Sequence, residues 1–210
     1  MLGGGAVDLV TLNDVEWAEL PDKEEPGTPN LPGVCAMARA MDVLDAVGMA
    51  NIAQHEIEMT DRAIERLDRI NGVKIYGARR CRENDRVGVI PLLSEKYPHA
   101  LLAAIMGYEW GIGVRNGCFC AHPYMEHLLG ITENEVHHWF DVVRRGDRGQ
   151  LPGFVRVSLG LYNTEDEIEY LAEALESIHR KGPQGEYEMD RHSGHYEPRG
   201  FSFDFNGAER

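Results

Sequence analysis

Lysine is scarce in this chain. Only Lys23, Lys74, Lys96 and Lys181 occur among 210 residues, so chemistry that needs a carbonyl-reactive amine has few places to reside. Basic charge as a whole is short, with 21 Lys and Arg against 35 Asp and Glu and a net charge of −14. Such a balance opposes a phosphate backbone or an anionic membrane surface, so neither nucleic acid nor membrane is expected as a partner. No run approaches the roughly 18 consecutive apolar residues of a membrane span, and Met1-Leu2-Gly3-Gly4-Gly5 has neither the basic nor the apolar region of a secretory signal. A cytoplasmic location is expected. Cysteine is sparse too. Cys35, Cys81, Cys118 and Cys120 form no disulfide framework, and the two thiols of Cys118-Phe119-Cys120 sit too close for relaxed bridge geometry. Reduced thiols fit best.

Residues 1–33 carry little helical periodicity and are punctuated by Gly3 to Gly5, Pro21, Pro26, Pro29 and Pro32, which predicts an extended connector. Its apolar, proline-rich run predicts association with a packing partner. Met37, Ala40, Met41, Leu44 and Val47 recur at helical spacing over 34–47, and Ile52, Met59, Ala63, Leu67 and Ile70 do so over 51–70. Residues 73–76 and 86–93 read as paired strands around a charged loop. An apolar helix over 99–110 ends at Gly111, and Ile112 and Val114 alternate into a short strand that delivers Arg115 and the cysteine loop. Helices over 123–129 and 133–144 follow. A strand over 154–161 sets Val155, Val157, Leu159 and Leu161 on one face and Arg156 and Ser158 on the other. Thr164 and Glu167 form a capping box for a last helix striped by Ile168, Leu171, Leu175 and Ile178. Residues 182–210, with Tyr187, Tyr196, Phe201, Phe203 and Phe205, read as a Gly- and aromatic-rich tail packed over the body. Helices and strands alternating around one small sheet predict a two-layer α/β sandwich.

Arg115-Asn116-Gly117-Cys118-Phe119-Cys120-Ala121-His122-Pro123 places a guanidinium close before Cys120. A thiol reacts as its thiolate, and a nearby cation lowers the cost of that charge. Cys120 therefore reads as a poised nucleophile or, in the plainer reading, as a small buried hydrophobe. Arg156 offers a planar fork suited to two-point contact with a carboxylate, or equally an ion pair with one of the many acidic residues. Gly27-Thr28-Pro29-Asn30 suits a phosphate cradle before a helix, or an ordinary turn. Cys118, Cys120, His122 and His127 provide a candidate zinc set, although structural zinc usually draws together two separated ligand pairs, and no metal is the preferred expectation. His137, His138, His192 and His195 read as surface histidines.

Several of these segments recur together in one known family. Gly27-Thr28-Pro29-Asn30, His55-Glu56, Gly72 to Gly77, Arg86 to Val89, Gly113 to Gly117 with Cys120-Ala121-His122-Pro123, Arg156 to Leu159 and Tyr162 to Glu165 stand in family order. From about Gly3 to Ile178 the chain resembles the C-terminal half of a class V aminotransferase-fold enzyme dependent on pyridoxal 5′-phosphate, in the cysteine desulfurase and selenocysteine lyase branch. The resemblance implies the small C-terminal domain of a fold-type I enzyme over 34–181, with a remnant of the large domain in 1–33. It implies that Gly27 and Thr28 hold the cofactor phosphate, across a homodimer interface in this family, and that Arg156 grips the substrate carboxylate with Arg115 nearby. Cys120 would take sulfur from L-cysteine as a persulfide. The family's Schiff-base lysine, pyridine-nitrogen aspartate and ring-stacking histidine belong to a large domain expected before Gly3, so the cofactor is not expected to bind covalently here. The chain alone is expected to be inactive, as a truncated product or as a subunit with a separate large-domain partner. Cys118 departs from the family pattern and stands as a resolving thiol or a neutral substitution. An alternative from another class is a non-catalytic interaction or metal-binding module that keeps the small-domain fold.

Overall fold

A computed structural model of the chain describes residues 3–78 and 86–201. Cys81, most of the charged loop before Arg86, and Phe203 and Phe205 lie outside the described residues. The chain divides into two compact units, Met1–Asn51 and Ile52–Arg210.

The first unit is less extended than its composition suggests. Strands β1 (Val7–Val10) and β2 (Val15–Trp17) form an antiparallel hairpin. Its turn is closed by Thr11 N donating to Asp14 O and Asp14 N donating to Thr11 Oγ1, both at 2.9 Å. A single 3₁₀ turn follows at Asp22–Glu24. Helix α1 (Leu31–Val47) starts three residues earlier than the apolar spacing indicates. Pro32 is pre-set for the first turn of a helix, and Asn30 Oδ1 caps the Gly33 amide at 3.1 Å. No residue of α1 is buried, and Leu31, Val34, Met37 and Met41 are exposed.

Helix α2 (Met49–Leu67), which belongs to the second unit from Ile52 onward, leads to strands β3 (Val73–Ile75) and β4 (Val89–Ser94), which pair antiparallel. Helix α3 (His99–Trp110) ends at Gly111 in the left-handed conformation. Strand β5 (Arg115–Gly117) then falls just past the expected one, because Ile112 and Val114 instead pack against the core on the approach to it. Helices α4 (His122–Leu129) and α5 (Glu133–Arg144), strand β6 (Phe154–Ser158), helix α6 (Glu165–Lys181) and a hairpin of β7 (Tyr187–Met189) and β8 (Tyr196–Pro198) complete the order. Strand β6 stops at Ser158; Leu159 still packs against the core beside Val155 and Val157 as expected, whereas Leu161 is exposed.

The sheet order is β3-β4-β6-β5, antiparallel throughout. One core joins Met59, Ala63, Ile64 and Leu67 of α2, Leu102, Ile105 and Met106 of α3 and the α6 stripe to Ile75, Ile90, Leu92, Val155 and Val157 of the sheet. Helices on one sheet face make the expected two-layer α/β sandwich. Arg66 ties α2 to α6 through Glu169 at 2.8 Å and Glu176 at 2.7 Å. The tail does pack on the body as far as it is described. Tyr108 of α3 meets the rings of Tyr187 and Phe201, with centroids 6.4 and 5.0 Å apart. Glu109 Oε1 accepts from Gln184 N at 2.9 Å, Gly185 N at 3.2 Å and the Tyr187 hydroxyl at 3.1 Å. Among the described residues, no helix is long and apolar enough to cross a membrane.

Candidate active site

Alternation along β6 sends Val155 and Val157 into the helix-covered core and Arg156 to the opposite sheet face. Arg115 of β5 stands directly across from Arg156, so both guanidinium stems leave the same face at paired positions. Like charges placed opposite one another are destabilising. Among the described residues neither arginine has a carboxylate partner. Arg156 Nε donates to Ser158 Oγ at 3.1 Å, and its guanidinium carbon lies 5.1 Å from the centroid of the Phe119 ring. Two cations at paired sheet positions, with no carboxylate partner among the described residues, can seat a carboxylate.

Phe119, whose ring meets Arg156, is the chain neighbour of Cys120. Ala121 N donates to Cys118 O at 3.0 Å, closing a tight turn whose two central residues, Phe119 and Cys120, adopt φ of 55° and 60°. Left-handed backbone costs about 1–2 kcal/mol for a residue with a side chain, and strain of this kind concentrates at functional loops. Cys120 is exposed at the turn. The structure thus brings Arg115, Arg156 and the Cys120 loop together. Phe119 had no role in the sequence reading; an aromatic between two cysteines was the only signal available.

The loops flanking Arg156 are braced from α2. Glu56 Oε1 accepts from Gly88 N at 2.6 Å, and Gly88 O accepts from Leu159 N at 2.7 Å. Space explains Gly88: a Cβ there would lie 2.8 Å from Glu56 Oε1 and 2.9 Å from Leu159 O. His55 Nε2 reaches Asn163 O at 3.2 Å, and Asn163 Oδ1 accepts from Gly160 N at 2.7 Å. Glu167 holds the far end, accepting from Asn163 Nδ2 at 3.0 Å and Thr164 N at 2.9 Å. The Asn163 amide and then the Thr164 amide lower the Glu167 carboxyl below its ordinary range.

In the N-terminal unit, Gly27 takes φ +84°, open to glycine, with nothing within 4 Å of a notional Cβ. Its own amide is used, donating to Gly4 O at 2.7 Å. Several backbone donors at the start of α1 are already engaged. Leu31 N donates to Pro29 O, Pro32 has no amide hydrogen, and Gly33 N is capped by Asn30. The Thr28 hydroxyl is exposed and has no hydrogen-bond partner among the described residues, so it can donate to a phosphate.

The zinc set proposed from sequence is not assembled among the described residues, where no three His, Cys, Asp or Glu side chains gather as metal ligands. What forms instead is a pair, Cys118 Sγ 3.0 Å from His122 Nε2.

This geometry, a helix-backed antiparallel sheet presenting two arginines beside a strained cysteine turn, is that of a two-layer small domain, and comparison with known proteins gives its class. The aminotransferase class-V family model matches residues 1–171; the chain belongs to that family. A relative named "Probable cysteine desulfurase" from Halalkalibacterium halodurans is 33% identical over 175 residues, which are 83% of this chain and 36% of the relative. A cysteine desulfurase of Cronobacter sakazakii is 34% identical over 179 residues, 85% of this chain and 37% of the relative. Among solved structures, a cysteine desulfurase from Thermococcus onnurineus aligns with a TM-score of 0.61 at 27% identity, over 85% of this chain and 38% of that one. The fold is therefore that of the small domain in fold-type I enzymes. The chain spans a little over a third of the length of these relatives. A C-DES structure with glycine linked covalently to its PLP cofactor shares the fold alone, with a TM-score of 0.54 at 15% identity.

Proposed function

We propose that this chain supplies the sulfur-accepting and carboxylate-binding part of a pyridoxal 5′-phosphate-dependent cysteine desulfurase. The observation that carries the reading is the pairing of Arg115 with Arg156 across β5 and β6, with Arg156 lying over the ring of Phe119, the residue before Cys120. Arg156 holds the carboxylate of L-cysteine, steadied by the Phe119 ring and Ser158, and Arg115 adds positive charge beside it. Cys120 Sγ accepts the sulfur. The overall exchange balances, since L-cysteine and the Cys120 thiol give alanine and a Cys120 persulfide. When bound, the cofactor supplies an electron sink for this exchange.

A phosphate at Gly27 and Thr28 would be held by the Thr28 hydroxyl, which has no partner among the described residues, with Gly27, whose amide is engaged by Gly4 O, giving close approach because it carries no side chain. The anchoring lysine is assigned to further polypeptide, either a preceding segment or a partner chain. The exposed apolar residues Leu12, Leu20, Leu31, Val34 and Met37 offer a surface for that polypeptide or for a second copy in a homodimer. A cytoplasmic enzyme of this kind keeps Cys120 reduced between turnovers.

Borohydride treatment of this chain mixed with the cofactor tests the division of labour. No trapped adduct is expected on this chain alone, and a stable one on any of its four lysines would refute it. In the complete enzyme, Cys120→Ser is expected to abolish alanine release from L-cysteine; unchanged release would contradict the role given to Cys120.

A further inference from the structure

The cysteine loop has two sides. Arg115 and Phe119 face Arg156, whereas Asn116 and Cys118 line a separate cavity of about 550 Å³ that neither Cys120 nor Arg156 reaches. The cavity's walls are apolar, chiefly Met125 of α4 and Trp139, Phe140 and Val143 of α5. Gly194 and His195, from the connection between β7 and β8, also line it. That connection is fixed by Arg148 N donating to Arg191 O at 2.7 Å, Arg148 Nη1 donating to His192 O at 2.8 Å, and an Arg191–Asp147 ion pair at 2.8 Å. The family match ends at residue 171, so part of this wall lies beyond the matched region.

Size and lining suit a small organic molecule, since ligand pockets of about 300–1,000 Å³ are mostly apolar with a few placed polar groups. The reactive group present is the Cys118–His122 pair, with His122 Nε2 3.0 Å from Cys118 Sγ and so placed to take the thiol proton. From these we infer that the cavity is a thiol-exchange site for a small molecule carrying an S–S bond on an aromatic body, which Trp139 and Phe140 would pack against. Cys118 Sγ attacks the nearer sulfur of the ligand. The ligand S–S bond breaks, a bond to Cys118 forms, and the departing sulfur leaves with the electron pair and takes up the proton held by His122. No external oxidant or reductant is consumed, and nothing in the step depends on Cys120 or on the cofactor.

The test uses the full chain and two probes, an aromatic disulfide whose released thiolate absorbs visible light and hydroxyethyl disulfide, with rates normalised to a free small thiol. One thiol should react with the aromatic probe at least tenfold faster than the remaining thiols, and should prefer it over hydroxyethyl disulfide. Cys118→Ser should remove that fast phase and Cys120→Ser should leave it intact, which separates this inference from the function proposed above. His122→Asn should slow it about tenfold or more, and Val143→Trp should erase the preference for the aromatic probe. A fast phase that survives Cys118→Ser, or equal normalised rates for the two probes on the unsubstituted protein, would overturn the proposal; the latter comparison needs no variant to fold.

Discussion

The guanidinium carbon of Arg156 lies 5.1 Å from the centre of the Phe119 ring. Contacts of this type contribute about 0.5–2 kcal/mol, and this one holds the Arg156 side chain beside the cysteine loop. Phe119→Ala in the complete enzyme should raise KM for L-cysteine several-fold with a smaller change in kcat. Arg156→Lys should raise KM more, by about tenfold or above, because an ammonium cannot present two parallel donors. Equal kinetics for Phe119→Ala and the parent would show that the ring does not position Arg156.

Glu56 should act on stability. Its 2.6 Å contact with the Gly88 amide is charge-assisted, a class worth about 1.5–3 kcal/mol. Glu56→Gln should lower Tm modestly. Gly88→Ala should lower it further, since the new methyl meets the Leu159 carbonyl oxygen, a backbone atom that cannot swing aside. Thermal unfolding of the two variants checks the order.

Two capping boxes make the fold acid-sensitive. The Thr132 hydroxyl and amide lower the Glu135 carboxyl, and Asn163 and Thr164 lower that of Glu167. A carboxyl lowered in the folded state stabilises above its unfolded value, near 4.5, and that contribution disappears as pH falls through the lower folded value. Helix content followed from pH 6 down to pH 3 should fall as these carboxyls take up protons, and Glu167→Gln should flatten that dependence at a cost in Tm at neutral pH.

The tail should respond to base. Burial and then the hydrogen bond to Glu109 raise the Tyr187 hydroxyl above its usual value of 10.0. Docking of the hairpin is therefore fully supported below pH 10 and weakens as pH climbs through the raised value. Tyr187→Phe should remove this dependence, and Glu109→Ala should speed proteolysis between Gly182 and Gly194 at neutral pH; an unchanged cleavage rate would contradict the anchoring role of Glu109.

Much of the sandwich was legible because its elements carry local signals. Period-3.6 stripes mark α2 and α6, Thr164 with Glu167 announces the last helix, and Gly111 marks the end of α3. The N-terminal hairpin was not legible, since three- and four-residue exposed strands have no buried face to impose alternation. Cys120 and Arg156 were singled out by residue type and flanks. Their link through Phe119 was hidden, because register across β5 and β6 brings positions some forty residues apart together and no periodicity reports it. The Cys118–His122 cavity was equally silent, being assembled from α4, α5 and the distant β7–β8 connection. At the start of α1, the capping of that end by Asn30 and Pro32 was hidden, because the cap depends on backbone conformation rather than on residue spacing.

The most direct measurement is mass mapping of sulfur in the complete enzyme after a single turnover with L-cysteine, with thiols blocked at once by an alkylating agent. The account predicts a gain of one sulfur atom on Cys120, lost in Cys120→Ser and reduced in Arg156→Lys. Sulfur found on Cys118 alone, or none on the 118–120 loop while alanine is released, would contradict it.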